Sequence, residues 1–169
     1  MQLLIIFAVV FVLYVAWKYW TLLFGAGYDP TPMDKVRKML TIAEVREGDI
    51  VYDLGCGDAR FLITAARLYK ARGVGIELDP FRFFFAWVVK LVSGQRRRVR
   101  IRFGNFFGMD ISSATVIALF LYGPTNERLK SKFKRELRPG TRIVSYIWQF
   151  EGWELLESLP EDRIYLYKL

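Results

Sequence analysis

The feature that most constrains the fold is a Gly-x-Gly turn between an apolar strand and an amphipathic helix. Residues 49–55 (DIVYDLG) are predicted to form a buried strand, and residues 59–71 are apolar at helical spacing. Between them lies Gly55-Cys56-Gly57. Because glycine has no Cβ, a ligand can approach the backbone closely at such a turn. The arrangement therefore predicts a ligand-binding crevice at the end of a strand in an α/β sheet.

Acidic residues narrow the choice of ligand. Asp53 and Asp58 flank the turn, and Glu77 ends the next predicted strand. Two carboxylates would repel a pyrophosphate group, whereas they would attract an amine or a sulfonium. A carboxylate at the position of Glu77 can bind both hydroxyls of a ribose. The third glycine of the dinucleotide pattern is replaced by Ala59. The pattern thus favours a nucleoside that carries a positive charge over a dinucleotide.

The rest of the chain alternates strands with helices. Helices are predicted from Asp34 to Ala43 and over residues 126–137. Further strands are predicted at residues 73–78, 99–103, 115–122, 142–148 and 163–169. Strict alternation of apolar and polar residues in 99–103 is typical of an edge strand. We therefore predict one doubly wound, mostly parallel α/β sheet over residues 35–169, with helices on both faces.

The composition excludes several classes of enzyme. The chain has a single cysteine, Cys56, and no histidine. A disulfide scaffold, a cysteine metal cluster, a Ser-His-Asp triad and a histidine-ligated zinc site are therefore impossible. We expect chemistry that needs no metal ion.

An apolar run stands at the beginning of the chain. Residues 3–24 contain only one charge, Lys18, and as a helix they would measure roughly 33 Å, enough to cross a bilayer. We predict a transmembrane anchor over residues 1–24. No basic residue precedes the run and several follow it, which places the remaining domain on the cytoplasmic side of the membrane. A cleaved signal peptide lacks support because the start carries no basic residue. A buried core helix is the other alternative.

The turn and its surroundings resemble the S-adenosylmethionine loop of class I methyltransferases. Residues 28–169 are similar to one branch of them, the small protein-lysine methyltransferases, which includes archaeal broad-specificity enzymes and the membrane-anchored ATP synthase c-subunit lysine methyltransferase of mitochondria. The matching stretches are YDPTP (28–32), DIVYDLGCGDAR (49–60), GVGIELDP (73–80), FGNFFGMDIS (103–112), ATVIALFLYGPTNERL (114–129), ELRPGTRIVS (136–145) and GW (152–153). The resemblance implies a Rossmann-like methyltransferase sheet, S-adenosylmethionine as cofactor and S-adenosylhomocysteine as product.

The resemblance also implies roles for individual residues. The cofactor-binding residues would be Tyr28, Thr31, Asp53, Gly55, Gly57, Asp58, Glu77, Asn105 and Phe106. Asp53 or Asp58 would hold the amino group, Asn105 would contact the adenine amine, and Phe106 would pack on the ring. Residues 25–34 would form a hinge and a lid over the cofactor, for which an ordinary proline-rich linker is the alternative. Ala59 replaces the usual glycine. This costs little if residue 59 is the first helical residue, whereas a requirement for positive φ at this position would affect the cofactor affinity.

The acceptor side of the site is expected after the fourth strand. There the sequence Tyr-Gly-Pro-Thr-Asn occupies the position of the family's substrate-proximal motif, and Tyr122 and Asn126 are the candidate catalytic residues. Tyr122 could orient an amine by a hydrogen bond or by cation–π attraction. Packing against Pro124 is the alternative role. Tyr146 and Trp148 on the next strand are weaker candidates. A lysine that is buried in an apolar channel loses its proton without a dedicated base.

A second apolar segment, Phe81–Val92, is too short to span a bilayer but is apolar on nearly every side. The arginines of Arg96–Arg98 follow directly. This combination is typical of an interfacial contact with anionic lipid. The alternative is that the segment packs on the anchor or on a partner subunit. Nucleic-acid binding is not expected, because the domain is tethered to a membrane.

These observations predict a single-pass membrane enzyme that moves a methyl group from S-adenosylmethionine to a lysine amine, on a membrane protein. Two other functions stay open at this point. One is a methyltransferase of a lipid or a quinone-like small molecule, and the other is a non-catalytic subunit of a membrane complex that kept the cofactor fold.

Overall fold

A computed structural model of the chain describes residues 29–169 and, before them, residues 2, 4–9, 11, 12 and 15, which are helical. Most of the predicted anchor, residues 1–24, lies outside the described residues, as do residues 25–28 of the predicted hinge, which include the lid residue Tyr28. Within the part of the chain that is described, no helix combines the length and the apolar character that crossing a membrane requires.

One sheet of seven strands organises residues 29–169. Its strands are β1 (Ile50–Leu54), β2 (Arg72–Glu77), β3 (Val99–Phe103), β4 (Val116–Leu119), β5 (Arg142–Tyr146), β6 (Glu157–Leu159) and β7 (Ile164–Lys168). The spatial order is β3-β2-β1-β4-β5-β7-β6. The first five strands are parallel, whereas β7 is antiparallel to β5 and to β6. The predicted doubly wound sheet is confirmed, and β3 is an edge strand as expected. The short strand β6 was not predicted.

Helices cover both faces of the sheet, as the pattern predicted. They are α1 (Met33–Ile42), α2 (Arg60–Tyr69), α3 (Pro80–Val92) and α4 (Gly123–Glu136), with 3-10 turns at Phe106–Gly108 and Pro160–Asp162. Side chains of α1, α2 and α3 share one buried cluster on one face. Those of α4 belong to a second cluster on the other face. The two clusters hold the sheet between two apolar layers.

Three element boundaries differ from the prediction near the acceptor side of the site. Strand β4 ends at Leu119 and α4 begins at Gly123, three residues before the predicted start. Pro124 lies in the first turn of α4, where its fixed φ suits a helix and its missing N–H costs nothing. Strand β5 ends at Tyr146 because Ile147 has a φ of 72°, which breaks the extended backbone.

The register of the parallel strands brings the predicted site residues to one edge. Asp53 on β1 is paired with Gly75 on β2 and with Ala118 on β4. Glu77 at the end of β2 is paired with Phe103 at the end of β3. The segments that follow β1, β2, β3 and β4 therefore lie next to one another at the carboxyl edge of the sheet, where α/β proteins bind their ligands.

Candidate active site

The turn after β1 has the backbone that a closely bound ligand requires. Gly55 and Gly57 have φ values of 84° and 53°, in the region that favours glycine. A Cβ added to Gly55 would lie 3.3 Å from Cδ2 of Leu121, so the turn also packs closely on the segment that follows β4. Both predicted glycine positions are thus explained by their local conformation.

Ala59 has the second of the two conformations that the sequence left open. It precedes α2 with φ 63° and ψ 16°, in the left-handed region, and the helix begins at Arg60. Residue 59 is therefore a position of positive φ and not the first helical residue. A non-glycine residue in this region costs roughly 1–2 kcal/mol. This position therefore suits glycine, and the chain tolerates alanine there at some cost in folding free energy.

Glu77 connects the turn to the end of β2. Its side chain is 5% exposed. One carboxylate oxygen accepts a hydrogen bond from the backbone N–H of Gly57 at 2.9 Å. The other accepts from the N–H groups of Leu78 and Asp79, at 3.0 Å each. Burial raises the pKa of Glu77 above its ordinary value, although these N–H donors oppose the shift. Glu77 thus holds the turn in place besides being the candidate ribose ligand.

Asp53 lies on β1 beneath the turn, partly buried, next to other acids. Burial and the charges of Glu77 and Asp58 raise the pKa of Asp53 to about 8. At neutral pH the free protein therefore carries a proton on most of its Asp53 side chains. A positively charged group bound next to Asp53 would favour the ionised form and release that proton.

The second acid of the turn is already paired. The Asp58 carboxylate accepts hydrogen bonds from Nε of Arg60 at 2.9 Å and from its NH2 group at 2.5 Å. NH1 of Arg60 donates to the carbonyl oxygen of Thr31 at 3.1 Å, which ties the predicted lid segment to the turn. The sequence left open which aspartate would hold an amino group. The ion pair of Asp58 favours Asp53 for that role.

Asn105 and Phe106 follow the end of β3, as predicted. The side-chain oxygen of Asn105 accepts a hydrogen bond from the N–H of Phe107 at 2.9 Å and so caps the short 3-10 turn. Phe106 is partly buried, and its ring centroid lies 4.8 Å from that of Phe107. The backbone N–H of Gly104 donates to the carbonyl of Glu77, which joins this segment to the predicted ribose ligand. Both predicted adenine contacts therefore lie beside Glu77.

The two candidate catalytic residues differ sharply in exposure. Tyr122 precedes α4 as its N-cap residue, and 49% of it is exposed. Asn126 is fully buried, and its Nδ2 group donates to the hydroxyl of Ser145 at 3.3 Å. Among the described residues, Oδ1 of Asn126 is the only buried side-chain oxygen or nitrogen without a hydrogen-bond partner. Tyr122 is accessible to a substrate, whereas the Asn126 side chain is enclosed in the protein.

The lone cysteine is a packing residue. Cys56 is buried within the turn, and burial raises the pKa of its thiol well above the ordinary value. A Cβ added to Gly75 on β2 would lie 2.6 Å from the sulfur of Cys56, so the thiol fills the space above a glycine. A protonated, buried thiol is a poor nucleophile.

The arrangement fits a nucleoside with a cationic group. A glycine turn opens the backbone, Asp53 offers a carboxyl group that a positive charge would ionise, and Glu77 and Asn105 offer oxygen acceptors at neighbouring strand ends. Sequence reasoning found these residues because their types and spacing carry the signal. It missed Arg60 and Ser145. Their partners, Thr31 and Asn126, are distant from them in sequence and come close only in the folded chain.

Comparisons with known proteins point in the same direction. The family model described as the ANTKMT methyltransferase domain matches residues 53–157. The chain is 46% identical over 147 residues to a protein-lysine N-methyltransferase of Saccharolobus islandicus, covering 83% of this chain and 91% of that protein. It is 24% identical to the adenine nucleotide translocase lysine N-methyltransferase of Mus musculus, covering 88% of this chain and 70% of that protein.

A solved structure has the same fold over most of the chain. It is the crystal structure of an RNA methyltransferase from Salinibacter ruber in complex with S-adenosyl-L-homocysteine. The two chains superpose with a TM-score of 0.80 at 39% sequence identity, and the match covers 83% of this chain and 93% of that one.

Proposed function

The chain belongs to the family of the ANTKMT methyltransferase domain and is an S-adenosylmethionine-dependent protein-lysine methyltransferase, and from this premise we propose that it works at a membrane, on lysine side chains of membrane proteins. We propose further that residues 1–24 anchor it as a single-pass membrane protein with the catalytic domain on the cytoplasmic side. The observation that carries the membrane proposal is the exposed apolar face of α3.

Residues at the ends of three strands would bind the cofactor. The turn of Gly55 and Gly57 would face the methionine part, with Asp53 beside its amino group, while Glu77 and Asn105 would hold the ribose and the adenine. When bound, S-adenosylmethionine supplies a sulfonium methyl group that is already activated for transfer. The chain has only to align the acceptor, keep water out and accept the charge of the ligand.

The acceptor amine would arrive past Tyr122 at the end of β4. A lysine must lose its proton before its nitrogen can act as a nucleophile, and its ordinary pKa is near 10.4. Entry into an apolar channel lowers that pKa because burial disfavours the charged form. The exposed Tyr122 ring can contact the lysine stem while its hydroxyl accepts a hydrogen bond from the amine. No histidine or other dedicated base is needed for this step.

Helix α3 exposes most of its large apolar side chains. Of its residues, only Ala86 is buried. Phe81 and Phe84 are 66% and 63% exposed, and Phe85, Trp87, Leu91 and Val92 are exposed as well. A soluble monomer rarely leaves so many large apolar side chains together on one surface. We propose that this surface, which we call the α3 face, contacts the bilayer.

The charges around the α3 face suit anionic lipid. Residues 80–109 contain seven basic residues and no acidic one. The basic residues are Arg82, Lys90, Arg96, Arg97, Arg98, Arg100 and Arg102. Aromatic and aliphatic side chains would enter the headgroup boundary, and the arginines would meet the phosphates. A partner protein would need an acidic, apolar groove to match the same surface, so the bilayer is the occupant that we propose.

The described part of the N-terminal segment supports the anchor. Leu4, Phe7 and Phe11 are helical, and each exposes more than half of its surface. Lipid would stabilise a helix that exposes such apolar side chains. The anchor and the α3 face would then fix the orientation of the domain on the membrane surface.

A labelling experiment tests the proposed function. The full chain, purified in detergent, is incubated with native membranes and with cofactor that carries a labelled methyl group. The products are then separated into protein, lipid and RNA fractions. We expect the label in membrane proteins, on the side-chain nitrogen of lysine, as identified by mass spectrometry of peptides.

A matched control uses the Asp53→Asn and Glu77→Gln variants, which should incorporate little label because they bind the cofactor poorly. Label that appears mainly in the lipid or the RNA fraction would refute the proposed acceptor. Label found only in soluble proteins would leave lysine methylation in place but refute the membrane substrate.

A further inference from the structure

We propose that Trp148, together with Tyr122, forms the subsite that holds the stem of the acceptor lysine, and that the buried pair Asn126–Ser145 positions Trp148. This inference deepens the proposed function and takes its substrate class, a lysine side chain, from it. Trp148 would be a specificity-determining residue for the protein substrate, and Asn126 and Ser145 would be positioning residues.

A continuous series of contacts leads from the cofactor turn to Trp148. The Gly55 turn packs on the side chain of Leu121, the residue directly before Tyr122. Gly123 follows Tyr122, and a Cβ added to Gly123 would lie 3.0 Å from Cε3 of Trp148. The indole ring of Trp148 therefore lies against the backbone next to Tyr122, at the edge of the sheet where the cofactor turn lies.

Trp148 is held by its backbone from inside the protein. The hydroxyl of Ser145 donates to the carbonyl oxygen of Trp148 at 2.5 Å, and it accepts from Nδ2 of Asn126 at 3.3 Å. Between Ser145 and Trp148, the N–H of Ile147 donates to the carbonyl of Arg163 at 2.7 Å. These bonds connect the first turn of α4 to the chain that leaves β5 and so hold the backbone that carries the indole ring.

The same segment contains two features that weaken the fold. Ile147 is β-branched and has a φ of 72°, a conformation that such residues rarely adopt. Oδ1 of Asn126 is buried, and no described residue donates to it. Each feature costs folding free energy. Strain of this kind concentrates at functional sites, because there the geometry that it maintains serves binding.

The exposed rings have the chemistry that a lysine stem requires. Trp148 is 40% exposed and Tyr122 is 49% exposed, so both offer an apolar surface to a ligand. The four methylene groups of a lysine pack well on aromatic faces. The quadrupole of an indole or phenol ring also attracts an ammonium group before its proton is lost. Tyr122 and Trp148, which lie next to Gly123, would therefore both contact the acceptor side chain.

The test compares two tryptophans of equal exposure in the full chain, purified in detergent, with a soluble lysine-rich peptide as acceptor. For Trp148→Ala we expect the KM for the peptide to rise about tenfold or more, and for Trp148→Phe by about threefold. The control is Trp87→Ala, since Trp87 is 41% exposed but lies on the α3 face. Its KM should change by less than about twofold. Cofactor affinity, measured by calorimetry, should stay constant in all three variants.

Gly123→Ala tests the same contact without truncating a side chain. The new methyl group would press on the Trp148 ring, while alanine favours the helix at this position. We expect an unchanged or higher midpoint of thermal unfolding and a KM for the peptide that rises about threefold. This variant keeps the inference testable even if Trp148→Ala unfolds.

Ser145→Ala tests the positioning role. We expect a higher KM for the peptide, with unchanged cofactor affinity and a kcat that falls less than kcat/KM. Equal KM values for Trp148→Ala and the unmodified chain would overturn the inference, as would a parallel loss of cofactor affinity. These outcomes are distinct from failure of the proposed membrane substrate, because the peptide assay contains no membrane protein. They are also distinct from failure of lysine transfer, which the unmodified chain would reveal.

Discussion

At the scale of single residues, the site places a carboxyl group that is hard to ionise beside one that is strongly hydrogen-bonded. Asp53 is the former, with a pKa near 8 because of burial and two neighbouring acids. Glu77 is the latter, with three backbone N–H donors. The first residue is suited to respond to a cation, and the second to hold backbone and ligand together. Each role leads to a measurement.

We predict that cofactor binding depends on the ionisation of Asp53. Below about pH 8 the free protein must release the Asp53 proton when a cationic ligand binds, so the affinity should rise toward about pH 8. Above about pH 8 the amino group of the ligand loses its own proton and the affinity should fall again. Calorimetry at several pH values, in buffers of different ionisation enthalpy, measures both the affinity and the released proton.

Asp53→Asn is the control for that prediction. The variant should bind the cofactor at least about tenfold more weakly near pH 8, and it should lack the increase in affinity on the acidic side. The folded state holds the Asp53 proton more tightly than the unfolded chain does. The free energy of unfolding should therefore fall as the pH rises from about 4 to about 8, and less so in the variant. An acidic limb that persists in Asp53→Asn would contradict the assignment.

Glu77 should matter for both binding and stability. Glu77→Ala removes the candidate ribose ligand, and hydrogen bonds to charged groups are worth roughly 1.5–3 kcal/mol each, so cofactor binding should be lost. The change also leaves the N–H groups of Gly57, Leu78 and Asp79 without their partner, and we expect a loss of at least about 2 kcal/mol of stability. Denaturant unfolding and calorimetry measure the two effects. A variant that keeps its full stability would show that these bonds do not hold the turn.

The positions of several candidate site residues could be predicted from the sequence, and other features of the site could not, for physical reasons. Gly55, Gly57, Asp53 and Glu77 could be placed because a strand, a glycine turn and a strand-end acid have fixed spacing. The pairing of Asp58 with Arg60 could not be predicted, because solvated acids and ion pairs look alike in a sequence. The left-handed conformation of Ala59 could not be settled from the sequence either, because it depends on how the turn packs against β2.

At the scale of elements, the sequence predicted which strands form the sheet more accurately than it predicted where each strand and helix begins and ends. Apolar runs predicted β1, β2, β4, β5 and β7, whose residues are mostly buried. The alternation of apolar and polar residues predicted the edge strand β3. The three-residue strand β6 carries too short a pattern to recognise. The early start of α4 and the early end of β5 were missed, because the prediction used the spacing of apolar residues. A proline in the first turn of a helix and an isoleucine with positive φ set these boundaries through the local backbone.

Helix α3 gives a prediction at this scale. Reversing Arg96, Arg97 and Arg98 to glutamate should weaken binding to anionic vesicles by about 1 kcal/mol for each removed basic charge. Replacing Phe84 and Phe85 by serine should weaken it further through lost apolar burial. Sedimentation with vesicles measures both effects on a protein that lacks residues 1–24, so that the anchor does not mask them.

The matched control for α3 is Leu156→Ser. Leu156 is 57% exposed and directly precedes β6, at the opposite edge of the sheet. This variant should bind vesicles like the unmodified domain. If the α3 variants bind anionic vesicles as well as the unmodified domain does, the α3 face does not contact lipid, and the proposal for this surface fails.

At the scale of the whole molecule, one sheet separates two tasks. The carboxyl ends of its strands carry the candidate transfer site, and the edge formed by α3 and β3 carries the exposed apolar and basic surface. Residues 29–169 contain all seven strands and both buried clusters, so the domain has the contacts that it needs to fold by itself. The proposed anchor should therefore affect where the enzyme works rather than whether it works.

The most direct test of this account compares the full chain with the chain that lacks residues 1–24, on two acceptors. One acceptor is the membrane protein that the labelling experiment identifies, in its native membrane, and the other is a soluble lysine-rich protein. We predict that the deletion leaves cofactor affinity and transfer to the soluble acceptor unchanged. Transfer to the membrane acceptor should fall sharply, because a tethered enzyme replaces intrinsic affinity by effective concentration. Equal rates on the membrane acceptor with and without residues 1–24 would contradict the account.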